Sequence, residues 1–354
     1  MTPSAPATTA IDPTAAALAW RPWHSTITGQ GRFGWLLGLQ VSLAFAGPAV
    51  AAHLGGLEVP DAAMLSLAGL LFVLVASGLG PDLRSRVPSS GAVVAGLGAA
   101  GLLAQVVHLR SAFGVVVLAA AAGATALAPA VSPRFAAAFR AFALTLVLLV
   151  AVAPSARATE LLVLGSLLAF ASVEATRPLG RTRLLAPRMP RPVAPAPLDR
   201  SATTAHALRL AVAIGLCAWL ALAVGATSPF TAHATWAMVG VWVALRPHHH
   251  LTRDLAVQRL AGTVVGAAAT LAVVAAYPSG HWLGWGLMPL VFVAFALRSV
   301  NYAWYCVAVT PVIVVGFTGT ELEPDVLAAR VIWTALGVAI AYLVARLIRP
   351  VARP

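Results

Sequence analysis

Lysine is missing from all 354 residues, so the 23 basic residues are all arginine. Such usage follows from GC-rich coding and says nothing about function. Cysteine is nearly absent. Cys217 and Cys306 both sit in apolar stretches, which excludes a disulfide framework and any zinc spacing and marks them as small core residues. Charge is also scarce, at 10% of residues against about 25% in soluble chains. A water-facing surface of ordinary size cannot be built from so few charges, so a secreted, disordered or simple cytosolic chain is excluded. The 11 acidic residues form no paired carboxylates at enzymatic spacing, and no Ser/His/Asp arrangement accompanies them. No glycine-rich phosphate loop of the Walker type occurs. The expectation is a protein that is not an enzyme, with no cofactor, no metal site and no soluble ATPase domain in this chain.

What the sequence has in abundance is apolar surface: 60% of residues are hydrophobic and mean hydropathy is +0.88. A membrane helix needs about 20 such residues. Twelve candidate spans follow, at 34–54, 62–79, 90–107, 112–129, 135–153, 160–175, 205–225, 232–245, 256–276, 281–297, 299–317 and 326–348. The fold class expected is an all-α membrane protein of about twelve transmembrane helices in two six-helix halves, 34–175 and 205–354. Residues 1–33 lack the charged start, apolar run and cleavage site of a signal peptide and read as a mobile tail. Residues 176–204 hold six arginines and six prolines. Proline at that density blocks a helix, so this segment reads as a cytoplasmic linker.

Arginine placement sets the orientation. Arg84 and Arg86, Arg134, the linker, Arg246 and Arg253, Arg298, Arg349 and Arg353 fall on one side with Arg21 and Arg32. Glu58, Asp61, Glu321, Glu323 and Asp325 fall on the other, with only Arg110, Arg157 and Arg330. Both termini are therefore expected in the cytoplasm, with the protein in the cell's inner (plasma) membrane. The net charge of +12 is what a multi-spanning chain needs on its cytoplasmic loops, so membrane lipid and not nucleic acid is the expected partner.

Two levels of repetition are visible. The halves correspond in span order, and Gly80-Pro81-Asp82-Leu83-Arg84 sits where Arg246-Pro247 through Arg253 sits later, as in a parallel repeat. Within the second half, Arg259-x3-Thr263-x2-Gly266 recurs as Arg330-x3-Thr334-x2-Gly337. Each copy lies near the start of the third helix of a three-helix group, and the two groups enter from opposite sides, which suggests a 3+3 inverted repeat.

Spacings of four and seven place Arg259, Thr263 and Gly266 on one helix face. A charge near hydrocarbon must face protein or water. One reading is an anion site, in which guanidinium and hydroxyl hold the ligand and Gly262 and Gly266 allow close approach. The other is packing, with Arg259 reaching back to head groups. Arg330 and Thr334 present the same choice on the outer side, with an ion pair to Asp325, Glu321 or Glu323 as the structural option. Trp236, on a short helix, either stacks an aromatic ligand or lies at the interface. Asn301 and Tyr302 offer hydrogen bonds at the start of the eleventh span, and Pro311 in its middle should kink it and free a carbonyl; helix–helix glue is the alternative for these. Three histidines follow Pro247, but adjacent positions do not converge on a metal. Intramembrane carboxylates, the natural proton carriers, are nearly absent.

The run from Trp236 through Arg246-Pro247, Arg253, Arg259, Gly262-Thr263 and Gly266 resembles the fusaric acid resistance protein-like family. This is also known as the integral membrane bound transporter or aromatic acid exporter family. Asn301-Tyr302-Ala303, Thr310-Pro311, Arg330, Thr334, Gly337 and Pro350 extend the likeness over about residues 205–350. The first half resembles the family only in span layout. The resemblance implies efflux of small organic anions, such as aromatic carboxylates, across the inner membrane. Arg259 and Thr263 would hold the anion, Trp236 and Tyr302 would contact its apolar body, and Arg330 would act near the outer gate. A passive anion channel and a non-transporting membrane scaffold are the rival expectations. A homo-oligomer is compatible with either.

Overall fold

Backbone amides in hydrocarbon must be satisfied within the chain, which favours helices wherever the sequence is this apolar. The computed structural model describes residues 34–54, 56, 58–76, 83–107, 111–150, 154–181, 200–224, 233–247, 249–276, 281–298, 300–318 and 324–348. Among them every long element is an α-helix and no strand occurs. The first six are α1 (Trp35–Leu54), α2 (Val59–Ala76), α3 (Leu83–Val106), α4 (Ala112–Val131), α5 (Pro133–Leu149) and α6 (Ala156–Thr176). A 3-10 turn, Arg177–Arg181, ends this half. The second six are α7 (Arg200–Val224), α8 (Thr235–Ala244), α9 (His249–Ala276), α10 (His281–Leu297), α11 (Tyr302–Thr318) and α12 (Pro324–Leu347). The tail 1–33, linker residues 182–199, the Gly80-Pro81 turn, Arg110, Glu321, Glu323, Arg349 and Arg353 lie outside the described residues.

Each expected span corresponds to one helix. Three helices begin earlier than hydropathy suggests: α3 at Leu83, α7 at Arg200 and α9 at His249. Their first two turns carry Arg84 and Arg86, Arg200, and Arg253 with Asp254, which end an apolar run but not a helix. Six helices are long and apolar enough to cross a membrane: α3, α4, α6, α7, α9 and α12. The rest are shorter apolar helices. Shortest is α8, whose 10 residues span only about 15 Å. Large apolar side chains such as Leu102, Val106, Phe113, Val116, Leu167, Trp219 and Leu343 face outward, as expected of a surface solvated by lipid.

Serines define several helix starts. Ser111, Ser132 and Ser155 accept from the backbone N–H of Gly114, Phe135 and Ala158 at 2.9, 3.0 and 3.2 Å. Each satisfies an orphan donor of the first turn. Ser132 also closes α4 through its own backbone N–H, which keeps the α4–α5 connection to one residue.

Grouped in threes along the chain, the helices pack in one recurring scheme. In the first half α3 packs on α5, α6 packs on α2, and α3 meets α6. In the second half α9 packs on α11, α12 packs on α8, and α9 meets α12. Thus the third helix of each triplet lies against the second helix of its neighbour. Contacts between α4 and α7 and between α1 and α10 join the halves.

Glycine makes these crossings possible. A Cβ at Gly96 would stand 2.5 Å from the Ala138 carbonyl oxygen, and one at Gly165 2.5 Å from that of Leu65. At Gly266 it would stand 2.7 Å from the Val307 oxygen, and at Gly337 it would collide with the Ala237 oxygen. No other residue type allows backbones this close. Val307 precedes Pro311 by four, so its carbonyl is the one the missing proline N–H leaves free. That carbonyl is covered by Gly266 and is not open to a ligand. In the first half of α7, the buried Arg209 guanidinium donates from Nε to Ile348 O at 2.6 Å and from Nη1 to Pro247 O at 2.5 Å. It ties α7 to the end of α12 and to the turn after α8.

Candidate functional site

The two arginine–threonine–glycine motifs converge because α9 lies between α11 and α12, and α12 lies between α9 and α8. The same faces that bring Gly266 onto α11 and Gly337 onto α8 turn Arg259 and Arg330 inward. Arg259 is 4% exposed and Arg330 is 3% exposed. Arg259 directs Nη1 at Cys306 Sγ, 3.6 Å away on α11, so it does not reach back to head groups. Arg330 lays its guanidinium over the Trp236 ring on α8, with Cζ 3.8 Å from the centroid. This is a close cation–π stack, and it takes the place of the acidic partner considered for Arg330. Asp325 is exposed and forms no ion pair among the described residues.

The two sets are equivalent across the packing scheme. Gly266 rests on Val307, and the residue before Val307 is Cys306, the contact of Arg259. Gly337 rests on Ala237, and the residue before Ala237 is Trp236, the contact of Arg330. Tyr302 lies one helical turn before Cys306, and its ring packs 5.5 Å from that of Tyr305. Arg330 in turn lies within electrostatic range of Arg259, Cys306 and Tyr305.

Hydrogen bonding is incomplete here. The Nε atoms of Arg259 and Arg330, the Oγ1 atoms of Thr263 and Thr334, and Tyr302 Oη are buried without a partner among the described residues. Neither arginine has a carboxylate within ion-pair distance there. A buried guanidinium without its counter-charge costs several kcal/mol, and buried polar atoms without partners are rare in folded proteins. Two guanidiniums, two hydroxyls and a phenol around one helix crossing form a donor-rich, net-positive centre, and its chemical complement is an oxyanion.

Asn301 stands apart. Its Oδ1 accepts from the N–H of Ala303 at 2.8 Å and of Trp304 at 3.3 Å, so it caps α11. Gly262 packs against Ala303 and Cys306. Cys306 and Tyr305 belong to the site but read from sequence as core. Only the four-residue step from Tyr302 to Cys306 places that thiol on the face of the phenol.

All elements that carry the site, α8, α9, α11 and α12, fall within one stretch of chain. Residues 212–344 match the fusaric acid resistance protein-like family. The matched segment starts inside α7, ends inside α12 and includes both arginine motifs, Trp236 and Tyr302. Comparison with curated proteins and with solved structures gives no match. The match spans somewhat over a third of the chain, and among the described residues six helices are long and apolar enough to cross a membrane.

The first half lies outside the family match, and its crossing is chemically different. Aligned on Gly96 and Gly165, the positions of Arg259 and Thr263 fall on Ser89 and Val93, and those of Arg330 and Thr334 on Ala158 and Leu162. Val93 and Leu162 are fully buried, and the Ser89 hydroxyl donates to Ser85 O at 2.8 Å. Arg86 forms a bidentate pair with Glu174, Nε to Oε1 at 2.9 Å and Nη2 to Oε2 at 2.7 Å. Among the described residues, this crossing holds no open donor set comparable to that of the second half.

Proposed function

We propose that this chain is an inner-membrane transporter that exports small organic anions, including aromatic carboxylates, bound between Arg259 and Arg330. The observation that carries this reading is the pair of buried, carboxylate-free guanidiniums flanked by unpartnered Thr263, Thr334 and Tyr302. An incoming carboxylate supplies the missing acceptors. Charge-assisted hydrogen bonds to Arg259 Nε and Thr263 Oγ1 offset its desolvation. Trp236, already stacked on Arg330, and Tyr302 flank its apolar body.

In this reading the chain crosses the membrane twelve times, with both termini cytoplasmic, and α8 supplies the helical part of the eighth crossing. The recurring third-on-second packing supports two parallel six-helix repeats, each a 3+3 inverted repeat. Arg259 then lies about ten residues into α9 from the cytoplasmic end, and Arg330 near the outer start of α12. An anion passing between them changes sides.

The test is efflux of radiolabelled benzoate and 4-hydroxybenzoate from proteoliposomes holding the full chain. Wild type is expected to release the label, with R259Q and R330Q at normal protein levels reduced to background. Unchanged efflux in both variants would remove the assignment. A passive channel is the second reading. It is favoured because the only acids in α7–α12 are Asp254 and Asp325, near helix starts, which leaves no carboxylate at mid-helix to carry a coupling proton. Accumulation of label against its gradient would exclude the channel, and a voltage-dependent anion current would support it.

A further inference from the structure

Three more arginines gather beside the Tyr302 end of this site, two just past helix ends and one inside α5. Arg246 follows α8, where Leu245 closes the helix and its own backbone N–H is fixed by Thr252 Oγ1 at 2.9 Å. Arg298 follows α10 and leans over the Tyr305 ring, Cζ 5.9 Å from the centroid. Arg140 lies on α5, in the first half, which packs against α8. Arg246 lies within electrostatic range of Arg298 and Arg140 and beside the neutral Tyr302 phenol, and Tyr305 lies within range of Arg298 and Arg259. All three arginines are exposed, and none has a carboxylate partner among the described residues. Like charges repel, so three guanidiniums are not brought to one mouth for stability. In the first half Arg86 and Arg177 pair with Glu174 and Arg157 pairs with Asp61, whereas Arg140 has no carboxylate partner among the described residues.

We propose that Arg140, Arg246 and Arg298 form an anion-collecting vestibule shared by the two halves, which feeds carboxylate- or phosphate-bearing solutes past Tyr302 and Tyr305 to Arg259. The role in feeding Arg259 rests on the transport reading above. The vestibule itself does not. Its ligands are small oxyanions held loosely in water, because exposed guanidiniums act through their field and lose that action in salt. The N-terminal half thereby contributes to the route through Arg140 although its own crossing holds no ligand.

The field can be read without any transport. Val300 is half-buried in the α10–α11 turn, two residues from both Arg298 and Tyr302. In full-length protein carrying C217A and C306A, V300C is to be modified with sulfonatoethyl and trimethylammonioethyl methanethiosulfonate in parallel. The anionic reagent is expected to react about tenfold faster at low salt, with the ratio falling towards one at high ionic strength. R140Q should lower the ratio at least about threefold, as should R246Q and R298Q, while R157Q on α6 leaves it unchanged. A ratio near one in the parent protein overturns the vestibule. A ratio that R140Q leaves intact while R298Q lowers it overturns the contribution of the first half. In benzoate efflux, R140Q should raise KM several-fold at unchanged kcat, and only at low salt. A correct reagent ratio with no efflux of any anion keeps the vestibule and removes the transport reading.

Discussion

The seam between α3 and α6 and the seam between α9 and α12 occupy the same place in the two halves, yet they are bonded in opposite ways. In the first, Arg86 and Glu174 close one end, and Gln105 Nε2 donates to Thr159 Oγ1 at 2.9 Å toward the other. A Cβ at Gly101 would stand 2.9 Å from Thr159, so the helices also touch closely. In the second, two arginines and two threonines face the seam with buried atoms left open. One packing scheme has yielded a crossing that satisfies itself and another whose buried polar atoms are left open among the described residues. The difference lies in a few side chains: Ser89, Val93, Ala158 and Leu162 in place of Arg259, Thr263, Arg330 and Thr334.

The sharpest way to break the comparison is to exchange those side chains. R259Q or R330Q should reduce benzoate efflux at least about 30-fold, the scale of losing one partner of a buried charged contact. Within the C217A/C306A/V300C protein, R330Q should barely move the reagent ratio, which separates the centre from the vestibule. Next in size is E174Q. It strands Arg86 and should lower unfolding stability by about 3–5 kcal/mol, read by thermal or denaturant unfolding in detergent, while KM for benzoate stays unchanged. A large KM shift would mean that the first half is more than a frame.

G165A and G337A test what the halves share. Each places a methyl group against a carbonyl and should cost about 1–3 kcal/mol, to a similar extent in both halves. If only one of them lowers the unfolding midpoint, the crossings are not equivalent. N301A removes a helix cap worth about 1 kcal/mol and should leave KM alone. A KM effect without a stability effect would return Asn301 to the binding set. Smallest is R157Q, whose partner Asp61 sits at an exposed site, where ion pairs are worth about 0–1 kcal/mol.

Most of the helical layout could be read from hydropathy, because an apolar stretch of span length has few other options. The starts of α3, α7 and α9 could not, since arginines end an apolar run without ending a helix. Pairing was illegible for a related reason. Helices that are apolar on all sides show no face, so nothing in the sequence says that α9 meets α11 and α12 meets α8. The arginine–threonine–glycine spacing did point to side chains that the fold buries on adjoining helices, because a charge at a fixed step from a glycine is rare in such a chain. Cys306 and Tyr305 stayed hidden, being ordinary core residues by type. Asn301 reads as a candidate hydrogen-bonding residue, and its place directly before a helix also fits the cap that its Oδ1 forms.

The glycine contacts also decide what can slide. Gly262 and Gly266 weld α9 to α11, and Gly337 welds α12 to α8, each with main chain against main chain. Among the described glycines none joins α9 to α12. The second half is therefore two stiff slabs with one unglued joint, and Arg259 and Arg330 stand on its opposite banks.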